Sequence, residues 1–176
     1  MTDPTFTLRP AGGSDEALLL RIFAEAHCAG FEQLGLEPGA LASLIRMQFH
    51  ARQAQYRMYP GGAEYLIWRD EVVLGNCWLS DTPEQLRVLD IAVLAEHRRQ
   101  GVARAVLGEV CARAAAAGKP VRLSVWHQNT AALELYRAFG FVPEPTVLAS
   151  EPGDLGNGYL ELRYCPEAAV RQAGAR

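Results

Sequence analysis

The residues best suited to chemistry in this chain form one short basic run, Arg98-Arg99-Gln100-Gly101-Val102-Ala103. Its side chains point to an anion. Arg98, Arg99 and the nearby Arg104 supply charge-assisted hydrogen bonds. Gly101 removes the Cβ that would hold a phosphate oxygen off the backbone, and Ala103 keeps the next turn narrow. A helix should begin at this run, which would aim unpaired N–H groups and the positive end of a dipole at one point. For the run alone, a plain helix start with solvated arginines is the alternative. No Gly-Lys-Ser/Thr follows and Gly-x-Gly-x-x-Gly is absent, which argues against a nucleoside triphosphatase or a nicotinamide dehydrogenase.

The elements around the run must position it. Residues 86–94 are β-branched and leucine-rich and read as a strand. After the run, Val102, Val106, Val110 and Ala114 recur at helical spacing, with a second row at Ala103, Leu107 and Cys111. Gly118 and Pro120 stop this helix near residue 117, and residues 121–126 form another strand. Such a crossing should make the two strands parallel neighbours. The loops at residues 95–100 and 127–129 then open on one side, where an open α/β sheet takes its ligand.

The flanking chain supplies the remaining elements. Residues 5–9 alternate as a strand, and Ser14 is an N-cap candidate for a helix through Leu18, Ile22, Phe23 and Ala26. A second helix spans residues 40–59, followed by strands at 64–68 and 72–79 around a hairpin turn. Asn129 should cap a short helix carrying Ala132, Leu133, Tyr136 and Phe139, closed by Gly140. Two last strands are expected at 141–150 and 158–164. One domain at residues 5–165 and a frayed tail at 166–176 account for the chain.

Composition narrows the class. With 176 residues and a net charge of −3, the chain is a one-domain globular protein and not a general nucleic-acid binder. No apolar run reaches membrane-span length and the N-terminus lacks signal-peptide character, so a cytoplasmic location is expected, with no membrane partner. Cys28, Cys77, Cys111 and Cys165 are scattered and read as free, mostly buried thiols. The four histidines show no metal-ligand spacing, and no metal site is expected.

Residues 91–103 resemble the acetyl-CoA motif of the GNAT superfamily of N-acetyltransferases, Arg/Gln-x-x-Gly-x-Gly/Ala. Residues 129–141 are similar to the family's second motif, Asn-x-x-Ala-x-x-x-Tyr-x-x-x-Gly-Phe. The resemblance implies an α/β (α+β) GNAT fold: a mixed, mostly antiparallel sheet of about seven strands, helices on both faces, and a splayed parallel pair that binds acetyl-CoA. It implies that the N–H groups of Gln100, Gly101, Val102 and Ala103, with Arg98, Arg99 and Arg104, hold the pyrophosphate. Pantetheine would pair with the strand at Ile91, Ala92 and Val93, the Val93 N–H serving the thioester carbonyl. Asn129, Ala132 and Tyr136 would meet the cofactor from the second motif.

Acetyl transfer needs a neutral amine, a polarised thioester and a proton for the departing thiolate. Tyr136 is the candidate acid, because a phenol is protonated at neutral pH; a core tyrosine on the helix stripe is the alternative. Asp90, between Leu89 and Ile91, is the candidate base or amine binder; otherwise it pairs with an arginine such as Arg87 or Arg122. Glu84, His127 or a water are further relays. Arg46, Gln48, Gln53, Tyr56 and Trp78 are candidates to line the acceptor side. The expected partners are acetyl-CoA and an unidentified amine, with a homodimer as the form of any self-association. The expected activity is direct N-acetyl transfer to a primary amine, against a non-catalytic acyl-CoA-binding or interaction module on the same fold.

Overall fold

A computed structural model of the protein describes residues 6–144 and 158–166. These residues fall into two compact units, and strand β4 (Leu86–Val93) contributes to both.

Of the described residues, the first unit holds 6–79 and 90–103. It contains β1 (Phe6–Pro10), α1 (Glu16–His27), α2 (Pro38–Arg57), β2 (Gly62–Arg69), most of β3 (Val72–Asp81) and the second half of β4. Its strand order is β1-β2-β3-β4, with β1 antiparallel to β2 from Phe6↔Arg69 to Pro10↔Tyr65. Leu19, Ile22 and Phe23 of α1 pack with Phe49 of α2, Leu66 of β2, and Ala92 and Leu94 at the end of β4. That contiguous apolar cluster fixes the helices on the strands. The entry to α1 is made by Asp15 rather than Ser14: its Oδ2 accepts the Gly12 N–H at 2.8 Å. Helix α2 begins two residues before the expected start because Pro38 occupies its first turn, where a missing N–H costs nothing.

Of the described residues, the second unit holds 80–89, 104–144 and 158–166. Here the order is β4-β5-β7-β6, with β5 (Val121–Trp126), β6 (Val142–Pro143) and β7 (Tyr159–Tyr164). Strands β4 and β5 are parallel, and their recorded register runs only from Leu86↔Val121 to Val88↔Leu123. Helix α3 (Val102–Ala117) starts in the first unit and runs through the second, burying Val106, Leu107, Val110, Cys111 and Ala114 as the periodicity requires. Helix α4 (Thr130–Ala138) is capped by Asn129, whose side chain accepts the Ala132 N–H at 3.2 Å. Of the strand expected at 141–150, two residues form β6; residues 145–150, like residues 167–176 of the tail expected at 166–176, lie outside the described residues. The seven strands and four α-helices make the mixed sheet the resemblance implies.

Candidate functional site

The basic run is an exposed turn built from the end of β4. After β4, residues Ala95–His97 form a single 3-10 turn, and the Ala95 N–H donates to Glu25 Oε2 at 3.1 Å. This bond holds the Glu25 carboxyl below the usual glutamate range. Arg98 turns inward: its Nε donates to the Val93 carbonyl and its Nη2 to the Glu25 carbonyl, both at 2.9 Å. Gln100 donates to the Glu96 carbonyl at 2.9 Å and accepts from Arg69 Nη2 at 3.0 Å. Three side chains thus fasten the turn and hold its backbone in an uncommon shape. Arg99 sits at φ 62 and Gly101 at φ 79, both left-handed. For an arginine that conformation stores strain, which marks functional backbone more often than ordinary loops.

The result is a concentration of unused donors. Among the described residues, the N–H groups of Arg99, Gln100 and Gly101 have no acceptor, and the Arg99 side chain has no partner. The first N–H groups of the sixteen-residue α3, at Val102 and Ala103, follow directly, and a helix start leaves such groups unpaired. A Cβ built on Gly101 would meet nothing within 4 Å, so the space beside the turn is open. These features fit a phosphate group.

Strand β4 offers a second row of donors. The Leu94 N–H bonds to the Leu74 carbonyl of β3 at 2.9 Å. Strand alternation therefore directs the N–H groups of Val93 and Ile91 to the other edge of β4. Gly75 allows the approach of β3 at this level: a Cβ there would lie 2.0 Å from the Ala92 carbonyl oxygen.

Beside β4 in the first unit lies a narrow cleft whose free space is about 10 Å³, room for about one water molecule. Asp90 lines it, with 18% of its side chain exposed. Its partners are neither Arg87 nor Arg122. His27 Nε2 lies 2.8 Å and Arg52 Nη1 3.2 Å from Asp90 Oδ2. Arg52 Nη1 is also 2.9 Å from both ring nitrogens of His27. Arg87 was excluded by geometry: three residues from Asp90, it projects from the opposite face of the strand, and Arg122 is its register partner. Those arginines pair instead with Glu161 and Glu144.

The acceptor-side candidates divide. Gln53 and Trp78 line the cleft, and Tyr56 packs on Trp78 with ring centroids 5.6 Å apart. Arg46 and Gln48 are exposed on the outer side of α2 and do not line it. Sequence reasoning missed His27, Arg52, Glu64 and Asn76, all of which do. Arg52 and Asp90 are 38 residues apart, beyond the reach of any local periodicity.

The second unit places the other candidates. Asn129 is exposed with its Oδ1 committed to the cap, which leaves the amide NH₂ outward. Ala132 is half-buried on the first turn of α4. The half-buried Tyr136 ring packs against Phe141 at 5.7 Å. Arg104 lies over the Phe139 ring at 5.6 Å. Glu84 and His127 are exposed, the latter stacked against Trp126 at 4.7 Å.

Comparison with known proteins bears on the fold. None of the curated proteins is significantly similar in sequence. Among solved structures, the chain is similar to PaiA N-acetyltransferase from Thermoplasma acidophilum in complex with coenzyme A: TM-score 0.63, 16% identity, covering 92% of this chain and 99% of that one. An acetyltransferase from Thermus thermophilus gives 0.64 and 18%, covering 92% and 97%. A GNAT family acetyltransferase from Elizabethkingia anophelis with acetyl-CoA bound gives 0.58 and 17%, covering 93% and 99%. At these identities the likeness is one of fold. The model of the acetyltransferase (GNAT) family matches residues 32–141. The chain belongs to the GNAT acetyltransferase family and is an acyltransferase.

Proposed function

We propose that the protein is an acetyl-CoA-dependent N-acetyltransferase that acetylates a primary amine by direct attack within a ternary complex. The observation that carries this reading is the donor-rich turn from Arg99 to Ala103, held open by Arg98 and Gln100 at the end of a strand whose edge offers the Val93 N–H. Acetyl-CoA supplies the activated acyl group. The N–H groups of the turn, with the Arg99 guanidinium, bind the pyrophosphate. Val93 N–H donates to the thioester carbonyl and then to the oxyanion that develops there. Asp90, whose Oδ1 has no hydrogen bond among the described residues, receives the proton released by the amine. Tyr136 returns a proton to the departing thiolate, and the Asn129 amide orients the cofactor's reacting end. No cysteine lies in the motif stretches from 91 to 103 and 129 to 141, which favours direct attack over an acetyl-enzyme.

A screen of primary amines with acetyl-CoA, reading release of the CoA thiol, tests the proposal. Amine-dependent thiol release and an acetylated product are expected. Tight CoA binding with no release against a broad panel of amines and peptides would instead favour a non-catalytic acyl-CoA-binding module.

A further inference from the structure

The cleft of the first unit contains a carboxylate that acetyl transfer as described does not use. Glu64, on β2, accepts from Gln53 Nε2 at 2.8 Å and from Asn76 Nδ2 at 2.6 Å, and Trp78 adds a third hydrogen bond. Every one of these donors is neutral. Among the described residues Glu64 forms no ion pair, and Arg57 acts on it only from longer range. Burial, the dominant influence, pushes its carboxyl above the usual glutamate range. Asp90 in the same lining pairs with Arg52 and His27, and none of these groups pairs with Glu64.

A second, independent feature lies beside it. Gln53 is buried, only 7% exposed, and its NH₂ must face Glu64 because a carboxylate only accepts. Its Oε1 is therefore turned elsewhere, and that oxygen is buried with no partner. A buried amide oxygen without a donor is costly. Of the roughly four lone-pair sites on a carboxylate, three on Glu64 are used. Both groups lack a donor, and the charge lacks a cation. One kind of guest supplies both: an ammonium. The walls add Leu19, Phe23 and Phe49, with the Trp78 ring, which suit methylene groups and the face of a cation.

Resting on the acetyl-transfer reading above, we propose that Glu64 and Gln53 form a recognition site for an alkylammonium group of the acceptor. The acceptor is then an aliphatic amine bearing a second, charged amino group. The reacting nitrogen is neutral when it attacks; the distal one stays protonated and seats against Glu64. Accommodating it at Gln53 Oε1 requires a side-chain adjustment, because that oxygen is covered.

The test compares α,ω-diaminoalkanes of three to six carbons with the matching monoamines, on protein saturated with CoA, by titration calorimetry. At least one diamine is expected to bind about ten-fold tighter than its monoamine, the margin of a charge-assisted hydrogen bond. E64Q should abolish that margin, and Gln53→Met should narrow it several-fold. Equal binding of diamines and monoamines by the wild-type protein would overturn the proposal, as would an undiminished margin in E64Q. If E64Q does not fold, E64D, which keeps the charge but withdraws it by one methylene, should narrow the margin; an unchanged margin counts against the proposal. Because calorimetry needs no turnover, tight diamine binding without thiol release would refute acetyl transfer alone. Turnover without diamine preference would refute the recognition site alone.

Discussion

The guanidinium of Arg98 donates from Nε to the carbonyl of Val93 at 2.9 Å, tying the basic turn back to the strand from which it emerges. Residues of one motif thereby set the geometry of both halves of the proposed cofactor site, the donors of the turn and the strand edge. The sequence suggested that Arg98 meets the pyrophosphate directly, whereas its side chain is occupied by the Val93 and Glu25 carbonyls. Arg99, with no side-chain partner, is the better placed of the two for the phosphate.

The two arginines should therefore respond differently. Arg98→Ala should lower stability only modestly, because water can reach the two exposed carbonyls it leaves, and lower kcat more than it weakens CoA binding. Arg99→Ala should weaken CoA binding several-fold and reduce its salt dependence, with the melting temperature little changed. Thermal melts and CoA titrations at two salt concentrations measure both. The reverse pattern would make Arg98 the phosphate ligand.

Tyr136→Phe keeps the ring packed on Phe141 and removes only the hydroxyl. Loss of a general acid typically lowers turnover by about 10²–10⁴-fold, so kcat should fall while the CoA dissociation constant changes little. Unchanged turnover would remove Tyr136 from the mechanism.

Asp90→Asn should lower kcat, and it also leaves Arg52 without its charge partner. Breaking a half-buried pair of this kind should cost about 1–3 kcal/mol in thermal or denaturant unfolding. The variant Arg52→Met, which removes the cation but keeps the carboxylate, separates the two effects. Turnover should survive better in Arg52→Met than in Asp90→Asn if Asp90 itself takes the proton.

Two glutamates should shape the pH dependence of stability in opposite senses. Burial raises the Glu64 carboxyl above its ordinary value of 4.5, so the folded protein takes up a proton there more readily than the unfolded chain. Stability from this group is present below that ordinary value and is lost as pH rises through the raised one. Glu25 is lowered from 4.5 by the Ala95 N–H, so its contribution is present above the ordinary value and is lost as pH falls through the lowered one. Melting curves against pH should show the loss on the alkaline side of 4.5 diminished in E64Q, and the loss on the acid side diminished in E25Q. An unaltered profile in E64Q would contradict the burial of this charge.

The features legible in the sequence are those written locally. Helix α3 runs from Val102 to Ala117 as its apolar rows require, and Asn129 caps α4, because periodicity and capping involve residues at most a few positions apart. The left-handed Gly101 follows from the same logic. The cleft is different in kind. Gln53 was a candidate for the acceptor side, but Arg52 looked like the polar side of an amphipathic helix and Glu64 like an ordinary strand residue. What makes them a site is the packing of α1 and α2 against the strands, which brings His27 and Arg52 to Asp90 across tens of residues. Strand alternation was available in the sequence and would have ruled out Arg87 as the partner of Asp90. Nothing local could have named Arg52.

The central claim is that the turn from Arg99 to Ala103 holds the pyrophosphate of acetyl-CoA, and calorimetric titration of CoA into wild type and Gly101→Glu tests it most directly. Among the described residues, chain neighbours aside, no atom lies within 4 Å of a Cβ at residue 101, so a side chain there enters open space, apart from the strain of about 1–2 kcal/mol at φ 79. Gly101→Asn, which tolerates that backbone conformation, controls for the strain. The account predicts that wild type binds CoA, that Gly101→Asn retains much of the affinity, and that Gly101→Glu loses it. Equal affinity in wild type and a folded Gly101→Glu would contradict it.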